Sequence, residues 1–515
     1  MPAALTGWVV TAAGIVWPVG RALAWCCIAL LAASGVLACY AAGRSGEHSR
    51  LRAVGAGIFA VAVVGAGFGL AIALRCDALG RHPITAAFGT TAPVTVIPTE
   101  SPVALSGGRL MFRAGLARLR ADEISGRVVV FARSSDFDDL VVGQPVRFVA
   151  RISRPARHDL TVAVLNAAGR PAVGTAGAVQ RVAHTVRRRF AAAARDALPA
   201  AQGAMLPALV LGDTAAMTAQ VDREFRAAGM THLTAVSGAN VTIVCAAVLV
   251  SARLVGPRAA VALAAVALVA FVIVVQPTAS VLRAAVMGAI TLAGMLSSRR
   301  RQAIPALAAT VLVLVAVAPQ LAVDVGFALS VLATAALVVI APAWSRSLVA
   351  RGWPRPAADA FAVAWAAHAV TAPLVAGISG RVSLVAAVAN LAVAPVVPPI
   401  TLLGSAGAVL DPLWPAGARL LIRFTGPELW WVLGVARWAA AVPAATARVP
   451  SGAAGVLLVG GVTLVLLFAV VRLGRRRWFG TAFGYAAGLL ILCLLAWSLS
   501  GLVGPSSESR DTIVG

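Results

Sequence analysis

Long apolar runs, separated by short polar interruptions, make up most of this chain. Segments such as "AAVALAAVALVAFVIVV" and "GAAGVLLVGGVTLVLLFAVV" approach the roughly 20 residues that cross a hydrocarbon core of about 30 Å. The pattern predicts spans at 22–43, 53–75, 236–254, 258–276, 279–297, 303–318, 325–343, 358–378, 383–410, 428–445, 453–473 and 480–502, with a further short segment at 8–20. Pro395, Pro398, Pro399, Pro412 and Pro415 interrupt the region 383–445. The expected fold class is a polytopic α-helical membrane protein of about 12 spans.

The pattern changes between 88 and 165. "APVTVIP", "SGRVVVFAR", "QPVRFVARI" and "DLTVAVLN" are short, rich in β-branched residues and bounded by Gly, Pro and Asp turns, which predicts a small all-β module closed as a barrel. After it, "AVQRVAHTVRRRFAAAARDAL" (178–198) has no helix breaker. Helical spacing puts Val179, Val182, Val186 and Phe190 on one face and Arg181, Arg188 and Arg195 on another. Such a helix suits the membrane interface, and its arginines are candidate guides for external phosphates. The domain boundaries are 1–80 for N-terminal spans, 81–175 for the β module, 176–230 for amphipathic helices, 231–505 for the main membrane domain and 506–515 for a tail.

Composition supports the membrane reading: 60% of residues are hydrophobic, 12% are charged and the mean hydropathy is +0.90. The net charge is +24, and all 43 basic residues are arginine. Basic clusters at 43–52, 297–302, 344–356 and 472–478 fall between spans and are placed on the cytoplasmic side. Alternation then puts 76–230 on the outer face. Residues 80–200 hold 17 arginines against 8 acidic residues, an excess that a translocated domain does not need for topology and that points to a polyanion, nucleic acid or lipid head groups. The six cysteines, Cys26, Cys27, Cys39, Cys76, Cys245 and Cys493, form no CxxC pair, so neither a metal nor a cofactor is expected.

One stretch departs from the apolar rule. "MLPALVLGDTAAMTAQVDREFRAAGMTHLTAVSGANVTIV" (205–244) runs from an apolar helix through Gly-Asp and a charged helix into a polar patch at the start of a span. It resembles the signature of the ComEC family of competence proteins, inner-membrane channels for incoming DNA. Gly212, Asp213, Gly229, His232, Leu233, Ala235, Val236, Ser237, Gly238 and Val241 fit, while Asn240 stands where many members have His. "PTASVLRAAVM" (277–287), "VDVGFALSVLATAAL" (323–337) and "VAAVANLAVAPVVPPITLLG" (385–404) are similar to further family segments in the same order. The resemblance implies an OB-like fold for the external module. It also implies single-stranded DNA as cargo, an external DNA receptor and a cytoplasmic helicase-like ATPase as motor. Many members carry a metallo-β-lactamase-like domain with a His-x-His-x-Asp-His cluster. His48, His82, His158, His184, His232 and His368 lack that spacing, so strand degradation is expected from a separate polypeptide. The oligomeric state is left open.

The candidate path residues are Asp213, His232, Ser237, Gly238, Asn240, Arg283, Asp324 and Asn390. An arginine inside the bilayer costs roughly 2.5–3.5 kcal/mol on insertion scales and so faces protein, water or an interface; a permanently charged fork suits phosphate. Asp324 reads either as a helix cap or as a partner for Arg283. Asn390 reads as interhelical glue or pore lining. His232, Val236 and Asn240 share a helical side with Ser237 close by. Without lysine no Walker-type phosphate loop exists, so energy is expected from elsewhere, and the favoured expectation is a passive conduit rather than an enzyme. Two other readings stay open: a carrier of an anionic or lipid-linked solute, and an intramembrane serine protease using Ser237 and His368, since "AVSG" is similar to the motif of such enzymes.

Overall fold

The computed structural model describes residues 1–473 apart from 18, 43–48, 106, 138–139, 277–278 and 297–302. Three predicted features lie outside the described residues: the span 480–502, the tail 506–515 and most of the basic clusters other than 344–356. Helices α1 (Pro2–Val16), α2 (Gly20–Ala42) and α3 (Ser49–Gly80) form the N-terminal unit. α2 and α3 approach closely because Gly69 meets the Ala24 backbone, where a Cβ would sit at 3.1 Å. Trp8 of α1 reaches across to donate to the Ala322 carbonyl at 2.8 Å.

The β module contains β1 (Thr91–Pro98), β2 (Val103–Leu105), β3 (Arg109–Leu119), β4 (Asp122–Arg133), β5 (Val146–Ser153) and β6 (Ala163–Val173). The strands run in the order β1-β5-β6-β4-β3-β2, and β1 also pairs with β3, so five of them close into a barrel. β4–β6 is its parallel pair; the other pairings are antiparallel. Strict alternation drives this closure: along β5, Val146, Phe148, Ala150 and Ile152 point inward while Arg147, Val149 and Arg151 point out. Phe112, Phe137, Val130 and Leu165 complete the core.

Next come α4 (Ala178–Ala197), α5 (Ala200–Leu211), α6 (Ala219–Ala227), α7 (Gly238–Ala252), α8 (Pro257–Val275), α9 (Ala279–Leu296) and α10 (Ala303–Val317). α11 (Val325–Ala335) continues through a π-helical turn into α12 (Ala341–Val349), and α13 (Arg355–Ser379) follows. The proline-rich region becomes α14 (Ala386–Val393) and α15 (Val397–Leu410), bent by 55° at their junction. Pro398 and Pro399 lie in the first turn of α15, where their missing N–H groups leave no bond unmade. α16 (Pro415–Phe424), α17 (Gly426–Ala441) and α18 (Ala453–Leu473) complete the described chain. The pattern did not predict the small sheet of β7 (Arg381–Ser383) and β8 (Thr446–Arg448).

Among the described residues, four helical segments are long and apolar enough to cross a membrane: Gly55–Ala87, Pro257–Val275, Val325–Val349 and Arg355–Ser379. The bent α14–α15 pair raises this to five. A helix occupies each predicted segment through 473, but several are shorter than expected. α7 and α10 have 15 residues each, about 22 Å at 1.5 Å per residue; α7 stops short because Val236 and Ser237 precede the helix and a turn at 253–255 follows it.

Helix α4 turns a different face inward from the one its valines suggested. Ala183, Arg187, Phe190 and Ala194 are buried, whereas Val179 and Val182 are exposed. α4 packs against α5, α8, α15 and α16, whose crowded surfaces accept alanines more readily than β-branched side chains.

Candidate functional site

The polar stretch 205–244 folds as a junction of helix ends. α5 stops at Gly212, whose φ of +69° lets the chain reverse at a conformation glycine adopts without strain; a Cβ there would lie 3.2 Å from Val236 Cγ2. Asp213 follows, its Oδ1 accepting from the Ala215 N–H at 3.3 Å. α6 is capped by Thr218, which accepts from Val221 N at 3.3 Å, and anchors through fully buried Phe225. Gly229 (φ +68°) then brings the chain against α14, with the Cβ position 2.4 Å from Ala386 Cβ. His232 is exposed in the 3-10 turn Thr231–Leu233.

At the start of α7, the Ser237 hydroxyl donates to Asn240 Oδ1 at 3.4 Å, and Asn240 Nδ2 donates to the Leu209 carbonyl at 2.9 Å. Leu209 lies in the last turn of α5, where carbonyls have no intrahelical partner. Asn240, only 4% exposed, therefore ties α7 to the end of α5. Asn390 plays a parallel part on α14, donating to the Gly229 carbonyl at 3.4 Å. Its Oδ1 is buried and, among the described residues, has no partner. Ser383 reinforces the tie by donating to the Ala227 carbonyl at 2.7 Å.

The sequence reading missed Arg187, although it occupies the centre of the junction. It is 8% exposed, and its Nη1 donates to the carbonyls of Leu211 (2.8 Å), Val274 (3.2 Å) and Val275 (3.4 Å). Nη2 lies 3.9 Å from Asp213 Oδ2. One guanidinium thus serves the C-terminal ends of both α5 and α8, where the negative ends of two helix dipoles converge. Burial draws the Arg187 pKa below its ordinary value and Asp213 pushes it back up. The signal was legible in principle: Arg187 shares the 183–187–190–194 stripe with small and aromatic residues. The neighbouring Arg188, with Arg181 and Arg195, is exposed, although Arg181 Nη1 also donates to the Ala176 carbonyl at 2.5 Å. Arg195 and Asp213 border a cavity of about 250 Å³ beside Gly203 and Pro207.

Arg283, on α9, is 7% exposed. Its Nε donates to Ser330 Oγ at 2.7 Å, Ser330 lies 3.3 Å from Ser280 Oγ, and Nη1 lies 3.4 Å from Met287 Sδ. A Cβ on Gly238 would stand 3.0 Å from Arg283 Nη2. Ser237, Gly238, Asn240 and Arg283 are therefore brought together. The suggested pairing of Asp324 with Arg283 is replaced by another arrangement. Asp324 Oδ1 caps α11, accepting from Phe327 N at 2.7 Å, and Oδ2 lies 4.0 Å from Arg113 Nη1 of the barrel. Arg113 also donates to Glu100 at 3.3 Å. Burial, then the charge of Arg113, lowers the pKa of neighbouring Arg127. A second contact seats the barrel: Ser101 Oγ donates to Oε1 of Gln276, at the end of α8, at 2.9 Å.

Ser237 has Asn240 rather than His368 as its recorded partner; His368 belongs to α13, which packs on α11, α12, α14 and α18. Among the described residues no three His, Cys, Asp or Glu side chains gather as a metal site requires. On the barrel, Gly107, Gly108, Arg109, Phe131, Arg133 and Asn166 border a cavity of about 570 Å³, with Arg109 Cζ 5.5 Å from the centre of the Phe131 ring.

Comparison with known proteins adds one finding. Searches of curated proteins and of solved structures gave no match. The family model described as "Competence protein" matches residues 209–475, from the end of α5 through the membrane helices. That match covers more than half of the chain, which belongs to the ComEC family of competence proteins.

Proposed function

We propose that this chain is a conduit carrying single-stranded DNA through the bacterial plasma membrane into the cytoplasm during natural transformation. In this reading the barrel is an OB-like domain on the outer face, and the helices complete a bundle of about twelve spans. One observation carries the proposal. The unbroken helical segment Val325–Val349 has the barrel at one end, where Asp324 meets Arg113. Its other end carries Arg346 and runs into a turn holding Arg351, after which Arg355 opens α13. Its 25 residues rise about 37 Å at 1.5 Å each, enough to cross a bilayer. Short basic turns favour the cytoplasmic side, so the arginine-rich barrel belongs outside, where incoming DNA arrives.

The barrel itself suits the task. Its closed five-stranded form, with the β4–β6 pair parallel, supports the OB-like reading, a barrel that binds oligonucleotides on its face and loops. The Arg109–Phe131 pair with Arg133 beside it offers both charge and a stacking surface, the combination that holds a single strand with little sequence preference. An external receptor would deliver the DNA, a cytoplasmic helicase-like ATPase would pull it and a separate nuclease would remove the other strand.

The test is uptake of labelled DNA and recovery of transformants in cells lacking the gene, complemented with the wild-type chain or with an Arg109→Gln/Arg133→Gln double variant. The expected result is loss of uptake on deletion, rescue by wild type and a marked deficit with the double variant. Undiminished transformation in the deletion strain refutes the DNA reading and favours a carrier of another anion, for which the bent α14–α15 pair and buried Arg283 are equally suited.

A further inference from the structure

Two buried arginines flank the same junction in opposite electrostatic settings. Arg187 sits at the carbonyl ends of α5 and α8 with Asp213 beside it, so dipoles and a carboxylate both oppose its charge. Arg283 has neither. Its neighbours are the Ser330 hydroxyl and the Met287 sulfur, and among the described residues no carboxylate pairs with it. Its Nη2 faces Gly238, the first residue of α7, at the positive end of that helix dipole. The Gly238 and Ala239 amides have no intrahelical acceptor, and the Ser237 side chain does not cap them. A permanent cation, 7% exposed, is thus aimed at a second positive group.

We infer that Arg283 Nη2 and the first amides of α7 form a binding station for one phosphodiester group of the passing strand. An anion there removes the like-charge conflict and receives donors from two directions, as anions at helix N-termini do. Gly238 explains itself on this basis: any side chain would fill the gap between guanidinium and helix. Ser330 and Ser280 hold the guanidinium in place without neutralising it. The assignment rests on the transport reading above and specifies where within the membrane domain the backbone charge is met.

The test uses the full chain in phosphatidylcholine nanodiscs with a bimane label on an Ala239→Cys variant, titrated with tetrathymidylate. The wild-type background should respond saturably, and a tetramer with neutral methylphosphonate linkages should give no response. Arg283→Gln and Gly238→Ala should each weaken binding on the order of tenfold, the loss of roughly one charge-assisted hydrogen bond. Arg283→Lys should bind more tightly than Arg283→Gln but less tightly than wild type, since it keeps the charge and loses the fork. Gly238→Ala retains the arginine, so a misfolded Arg283→Gln variant does not decide the matter. Equal titrations in wild type, Arg283→Gln and Gly238→Ala overturn the assignment. So does a label already saturated in discs containing phosphatidylglycerol and unresponsive to tetrathymidylate, which would make the occupant a lipid phosphodiester. Normal DNA uptake by an Arg283→Gln strain defeats this station alone, whereas normal transformation without the gene defeats the transport reading.

Discussion

Three consecutive arginines on α4 offer a direct measurement of what burial does to one charge. Arg187 is buried, while Arg188 and Arg189 are exposed. Arg187→Leu keeps most of the stem's packing but removes the donors to Leu211, Val274 and Val275 and the ion pair with Asp213. Hydrogen bonds involving a charged group contribute about 1.5–3 kcal/mol net, and removing one member of a buried pair costs about 3–5 kcal/mol. Asp213 keeps 28% side-chain exposure, so water re-solvates part of what is lost, and leucine buries apolar area in return. The expected loss is therefore near the lower bound, about 3 kcal/mol.

The assay is thermal unfolding of the purified full chain in detergent at a fixed heating rate, because unfolding of such chains is commonly irreversible. At about 2–4 °C per kcal/mol, Arg187→Leu should melt about 6–12 °C below wild type. Arg188→Gln and Arg189→Gln should stay within about 0.5 kcal/mol, as exposed substitutions do. Adding Asp213→Asn to Arg187→Leu should restore part of the loss, since the unpaired carboxylate is then gone. Coincident melting of Arg187→Leu and wild type would refute the claim that this guanidinium ties α5 to α8. Equal losses at all three arginines would refute it too, by tracing the effect to net charge.

Other consequences follow from single contacts. Phe327 is fully buried and meets Trp8 edge-on at 5.5 Å; Phe327→Ala should cost about 3–5 kcal/mol in the same melting assay, and a loss under about 1 kcal/mol would mean that α1 does not pack there. Gly229→Ala places a methyl 2.4 Å from Ala386 Cβ at a φ of +68°. It should destabilise by at least about 2 kcal/mol and increase proteolysis at the α6–α7 connection; unchanged protection would refute the contact with α14. The pKa of His184 is lowered by burial, then by Arg188 and Arg187, so near neutrality the unfolded chain binds the proton more readily than the folded one. Stability is therefore full above the unfolded value of about 6.5 and falls as pH drops below it. Melting between pH 7.5 and 5.5 should show a shallower fall for His184→Gln than for wild type, and parallel curves would refute the assignment.

Helix positions were legible because apolar length and proline breaks are local properties. The barrel was legible for the same reason: alternate residues of β5 are apolar and turn inward, with Val149 alone breaking the polar outer face. Helix ends were less legible. "GANVTIV" reads as membrane span by hydropathy, yet the residues just before it form a turn, which shortens α7. Asp324 was correctly readable as a cap from its place before Gly326 and Phe327, but its second partner, Arg113, lies on a strand more than 200 residues earlier. No periodicity reports such a pairing. Arg187 was hidden among three arginines whose common charge suggested a common role, and only the packing of α4 separates them.

The motif positions acquire a shared physical sense once the helix ends are known. Gly212 and Gly229 reverse the chain at positive φ, Asn240 and Asn390 donate to carbonyls left open by those reversals, and Arg187 collects the rest. These groups are hydrogen-bonding ties between helix ends, and apart from the buried Asn390 Oδ1 their polarity is matched within the protein. Arg283 and Gly238 are the exception, because there a donor meets donors. The sequence shows an arginine in a basic run at 187 and one in an apolar run at 283, and neither context tells which helix end the side chain will face; what distinguishes their roles is the direction of that helix. At a carbonyl end the guanidinium completes the fold, and at an amide end it leaves a charge that no carboxylate among the described residues balances, which is what the proposed phosphodiester would do.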